Sequence, residues 1–118
     1  MKNYLKHFNK KYELGKCDCW TLIQDIFKEE HNIDLPKYPF VIEGNEKDFA
    51  KHLRANLLFE EIKEPKKTCI VHKSGINEHI GYCVGNNKYI HRTILGTKIN
   101  KIPDRYCKFY YIKGVKCI

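Results

Sequence analysis

The spacing of apolar residues changes once along this chain of 118 residues, and the change divides it into two parts. Cys19, Leu22, Ile23, Ile26 and Phe27 recur at intervals of three and four, with Gln24, Asp25, Lys28 and Glu29 opposite them. That is the period of a helix buried along one stripe. Asp18 stands just before the stripe as a good N-cap, and Pro36 and Pro39 forbid continuation, so the pattern predicts a helix over 19–31. After Pro65 the period becomes two. Thr68–Lys73, His79–Val84, Lys88–Thr93 and Cys107–Ile112 all read as strands, with Gly85-Asn86-Asn87 as a turn signal. Helices first and antiparallel strands after indicate an α+β fold. The length suits one ordinary domain, so residues 1–118 are read as a single one.

Weaker patterns fill the remainder. Residues 2–10 suggest a short amphipathic helix with Tyr4, Leu5 and Phe8 on one face, broken by Gly15. Residues 33–44 read as an extended linker, and a second helix is expected over 46–56, capped by Asn45, with Phe49, Leu53 and Leu57 inward. No apolar run exceeds about five residues, so no segment is expected to span a bilayer. The start, Met-Lys-Asn-Tyr-Leu-Lys-His-Phe, has no apolar core of the kind that marks a secretory signal.

Composition narrows the class of partner. An apolar share of 42% and an aromatic share of 13% exclude a disordered chain. The net charge of +8 draws the chain towards polyanions: nucleic acid, anionic lipid or an acidic cell wall. Charge alone does not choose among them, and no basic-aromatic motif supports nucleic acid.

Six cysteines stand at 17, 19, 69, 83, 107 and 117. Without a secretory signal they are expected as thiols. Cys69, Cys83 and Cys107 lie in strand-like runs and read as small core residues. Cys19 differs, because it stands in the first turn of the predicted helix, where free backbone N–H groups favour an anion. Bringing a thiol from about 8.5 to about 5 requires roughly 4–5 kcal/mol, and the helix dipole supplies at most about 2. A nucleophilic Cys19 therefore needs a second group, most naturally an imidazole.

Six histidines compete for that role. His7, His31 and His52 fall on helices and read as surface or boundary residues, and His72 stands near a strand end. His79 and His91 flank one hairpin, His-Ile-Gly-Tyr-Cys-Val-Gly-Asn-Asn-Lys-Tyr-Ile-His. A three-residue loop at 85–87, or a bulge, would put both on one face as diagonal neighbours within about 7–8 Å. A plain two-residue loop at 86–87 would put them on opposite faces. Cys17, Cys19, His79 and His91 could also be weighed as zinc ligands, but Cys-x-Cys is tighter than the usual spacing, so neither metal nor cofactor is expected.

With these motifs in hand, the chain resembles the NlpC-type cysteine peptidases, papain-like hydrolases of bacterial cell walls. Tyr12-Glu-Leu-Gly15-Lys-Cys-Asp18-Cys19-Trp20 resembles the family's nucleophile region, a Tyr-x-x-Gly followed by Asp-Cys at a helix start. His79-Ile80-Gly81, Gly85-Asn86-Asn87 and Tyr89-Ile90-His91 resemble its histidine strand, turn and following strand. The likeness runs from about Tyr12 to Ile112. The family commonly has Ser-Gly where this chain has Trp20-Thr21, and a Gly-Asp turn that Pro65-Lys66-Lys67-Thr68 lacks.

The resemblance implies a papain-like fold with helices against an antiparallel sheet, Cys19 as nucleophile, His79 as general base and His91 as the residue orienting it. It implies Tyr12 and Asp18, with Trp20 beside them, along the substrate side, and the Cys19 N–H in an oxyanion hole. Trp20 and the acidic Phe59-Glu-Glu-Ile-Lys-Glu-Pro65 segment look most like tail-associated peptidases of long-tailed bacteriophages. The implied substrate is a peptidoglycan stem peptide, the implied partners are other tail proteins, and the implied location is the virion. Two rival functions remain: a tail structural protein with little or no hydrolysis, and another thiol enzyme, an amidase or acyltransferase, on the same scaffold.

Overall fold

A computed structural model of the chain describes residues 4–13, 17–35, 59–73 and 79–112. The expected helix over 46–56, His52 and most of the expected linker lie outside these residues. So does Cys117.

Two helices precede six strands: α1 (Leu5–Phe8), α2 (Cys19–His31), β1 (Phe59–Ile62), β2 (Ile70–Lys73), β3 (His79–Gly85), β4 (Lys88–Thr93), β5 (Gly96–Lys101) and β6 (Cys107–Ile112). The strands form one sheet in the order β1-β6-β2-β3-β4-β5, with every described pairing antiparallel. This is the α+β arrangement that the switch of period predicts.

α2 occupies the predicted span because both ends are capped. The Asp18 carboxylate accepts from the N–H groups of Trp20 and Thr21, and the Thr21 hydroxyl accepts from the Asp18 N–H, which closes a capping box. The helix stops earlier than the prolines require. Asn32 adopts a left-handed conformation, φ 53°, and its N–H and that of Ile33 bond the Lys28 and Phe27 carbonyls. Leu22, Ile23, Ile26 and Phe27 are buried against the sheet, and α2 lies over β3 and β4.

Alternation along the strands sorts the core into two faces. Phe59, Ile70, Ile80, Tyr82, Ile90, Tyr110 and Ile112 share the face that packs on α2. Cys69, Val71, Cys83 and Tyr89, with Ile102, form a second cluster on the other face. The buried thiols of Cys69 and Cys83 hydrogen-bond one another there, and that bond brings Cys83 down to about 7.

Three sequence expectations need correction. The stripe expected over 2–10 shrinks to the single turn of α1, in which Leu5 is 66% exposed and His7 only 1%. One turn has no second repeat to hold a face inward. Arg92, buried on β4, donates to the His7 carbonyl oxygen and draws that residue in. The strand expected from Thr68 begins at Ile70, because Thr68 has φ 81° and leaves the ladder. Finally, the acidic segment from Phe59 and the unassigned residues 96–101 supply β1 and β5, the two ends of the described sheet. Edge strands carry charge and bury little, so their alternation is faint.

Candidate active site

The approach to Cys19 is set by a small backbone clasp. Glu13 and Cys17 exchange N–H···O bonds of 2.9 and 2.6 Å, which delivers Asp18 to its cap position. Cys19 follows as the first residue of α2 and is 6% exposed. Its sulfur sits at the start of β3, where the Ile80 backbone N–H donates to it, and the N–H groups of Cys19 and Trp20 also face it. These three amides favour a thiolate, but burial and the Asp18 carboxylate oppose them and win: the thiol is pushed up to about 12. Burial and the Asp18 charge thus favour a protonated Cys19 over the standing thiolate that the sequence alone suggests.

His79 is the residue immediately before the amide that holds the sulfur. The hairpin places His91 by a mixed solution to the register question. The turn has two residues, Asn86 and Asn87, both with positive φ, and Gly85 pairs with Lys88. A register shift between Cys83 and Gly85 then adds one residue to β3, so Cys83 pairs with Tyr89 and Gly81 with His91. The bulge restores the even register. His79 and His91 therefore share a sheet face, His91 opposite Gly81 and His79 two residues along. The Cys19 sulfur lies by the Ile80 amide, and the backbone positions of His79 and His91 lie at the first and third residues of the same strand pairing. The histidine positions face away from the α2 core, in which Cys19 is buried.

His91 is held on two sides. Its ring stacks on Tyr89, with centroids 4.4 Å apart and planes 8° from parallel. Its Nε2 lies 2.6 Å from the Asn100 Oδ1 on β5. A carbonyl oxygen only accepts, so Nε2 carries the proton and Nδ1 holds the lone pair of the neutral ring. Tyr89 reaches that position by lying over Gly81. A Cβ on Gly81 would stand 2.7 Å from the Ile90 carbonyl oxygen and press into the Tyr89 ring. Asn100 was not singled out by sequence reasoning, because Lys-Ile-Asn-Lys declares no role until β5 is known to pair with β4.

The other residues expected on the substrate side are distributed differently. Tyr12 is half-buried before the clasp. Asp18 is buried and its Oδ1 serves the two cap amides. Trp20 is 2% exposed and packs into the core with α2, which makes it a wall of the fold. Cys17 is half-buried, and among the described residues neither it nor Cys69, Cys83 or Cys107 is in a disulfide. Among the described residues no group of three or more His, Cys, Asp or Glu side chains is arranged to hold a metal ion.

With this geometry established, comparison with known families is decisive. The model of the NlpC/P60 family matches residues 9–116, nearly the whole chain. The chain belongs to the NlpC/P60 family. The family is one of cysteine peptidases, and membership accounts for the helix-borne cysteine, the antiparallel sheet and the histidine hairpin together. A search of curated proteins finds no match.

Proposed function

We propose that this NlpC/P60 protein is a cysteine peptidase that cleaves an amide bond of peptidoglycan stem peptides, working from a bacteriophage tail. The observation that favours the reading is the bulged hairpin register, which sets the His79 and His91 positions on one sheet face, while the amide after His79 bonds the Cys19 sulfur. A plain two-residue hairpin would have separated the histidines.

The chemistry follows from the raised thiol. Since burial keeps Cys19 protonated, the nucleophile forms only as its proton passes to a base, and His79 takes that proton. The sulfur attacks the amide carbonyl while the Cys19 N–H, at the helix start, stabilises the oxyanion. The protonated His79 gives its proton to the leaving amine, and an acyl-enzyme remains. Water, deprotonated by His79, then releases the acid. His91, with Nε2 committed to Asn100, presents Nδ1 as the acceptor that orients and stabilises the His79 imidazolium. Tyr12 lines the substrate side.

The tail setting rests on the likeness of the Cys19-Trp20 junction and of the acidic segment 59–65 to tail-associated peptidases, with other tail proteins as partners. The burial of the Cys19 sulfur favours one second reading, a tail structural protein that keeps the fold without hydrolysis. Purified protein and its Cys19→Ala variant, incubated with peptidoglycan and read by mass spectrometry, separate the two. New amine and carboxyl ends that vanish in the variant are expected. Intact walls of every type, with both proteins folded, would leave the structural reading.

A further inference from the structure

The two candidate catalytic histidines each stand directly across the sheet from a lysine. Lys73 on β2 pairs with His79 on β3, and Lys98 on β5 pairs with His91 on β4. Directly opposite residues share a face, so Lys73, His79, His91 and Lys98 form a strip across four adjacent strands. Lys98 is exposed and Lys73 half-buried. Neither lysine forms an ion pair with a carboxylate among the described residues.

The strip belongs to a wider partition of charge. Strands β2 to β6 contain no Asp or Glu, but they contain Lys73, Lys88, Arg92, Lys98, Lys101 and Lys108. From Pro65 to Pro103 the sequence has one carboxylate, Glu78. The acids gather elsewhere: Asp18, Asp25, Glu29 and Glu30 on or beside α2, and Glu60, Glu61 and Glu64 around β1. Lysines set opposite catalytic imidazoles carry an electrostatic cost, since cationic neighbours oppose formation of an imidazolium. An anion between them removes that cost.

We infer that Lys98 and Lys73 bind carboxylates of the substrate on the two sides of the scissile amide, so that the protein selects peptides with free carboxylates over their amidated forms. This rests on the peptidase reading and names what its site accepts. Adjacent strands are about 4.8 Å apart, and an extended peptide advances about 3.3–3.6 Å per residue. A peptide laid across the strands with its cleaved bond at the histidines therefore brings carboxylates one or two residues away within reach of the two ammonium groups. The bound carboxylates also offset the positive charge that builds on His79 during thiol deprotonation.

The test measures binding apart from turnover. Full-length Cys19→Ala protein is titrated calorimetrically with matched stem-peptide fragments that differ only in a free carboxylate or a carboxamide beside the scissile bond. The free acid is expected to bind roughly three- to tenfold more tightly in low salt, the scale of one or two charge-assisted contacts at a partly exposed site. Lys98→Gln and Lys73→Gln, each in the Cys19→Ala background, should shrink that preference to under twofold for the carboxylate on their own side. Equal affinity for acid and amide, an undiminished preference in both lysine variants, or no binding of either peptide overturns the inference. Cleavage of walls by the wild type is scored separately, so an active enzyme indifferent to amidation refutes this inference alone.

Discussion

Asn100 reaches His91 only because β5 adds to the far side of β4 in a register that sets Asn100 two residues from the position opposite the imidazole. Its Oδ1 decides which nitrogen of His91 bears the proton and leaves Nδ1 as the acceptor. Asn100→Ala is expected to lower kcat about three- to tenfold, from a bond worth about 1 kcal/mol, with KM nearly unchanged. Because Asn100 is exposed, the melting temperature should move little. An unaltered kcat would show that Tyr89 alone orients the ring. At this scale the sequence was readable where a role is written locally. The cap before Cys19 and the turn between His79 and His91 declare themselves. The shared face of the two histidines was readable only as a condition, since the turn residues do not reveal the bulge at Val84 and Gly85. Asn100, Lys73 and Lys98 have no local signal at all and acquire meaning only through strand pairing.

Among the elements, α2 does two jobs through one residue. The Asp18 side chain caps the helix, and its charge raises the thiol it precedes. The two effects separate by mutation. Asp18→Ala removes the acceptor for two N–H groups and should cost about 1 kcal/mol, seen as a melting temperature lower by several degrees. Asp18→Asn keeps a cap oxygen but not the charge, so it should hold most of the stability while Cys19 ionises at lower pH. The check is the rate of Cys19 alkylation by iodoacetamide against pH. The Asn variant should react faster than wild type on the alkaline side of neutrality, and superimposable profiles would remove Asp18 from the electrostatics of the site. The span of α2 was legible because cap, stripe and stop agree. The edge strands β1 and β5 were not, since a strand paired on one side only can be as polar as a loop.

Among the described residues, strands β2 to β6 carry cations and no acid, while the acids near α2 are partly paired with Lys6, Lys10 and Lys28. Attraction to an anionic wall through that basic sheet should weaken with screening, whose length falls from about 10 Å at 0.1 M salt to about 3 Å at 1 M. Sedimentation with purified sacculi should therefore fall steeply across that range, while the protein stays folded. Retention that ignores salt would assign wall attachment to apolar contacts. The order of the sheet was beyond sequence reasoning for a topological reason: periodicity marks strands but does not say which lie side by side. The placement of β6 between β1 and β2 has its own consequence. The segment that leaves the ribosome after all other strands is the one that joins the two parts of the sheet. The described sheet cannot be completed until residue 112 has emerged, and a chain trimmed before residue 107 loses the strand that holds β1 to β2.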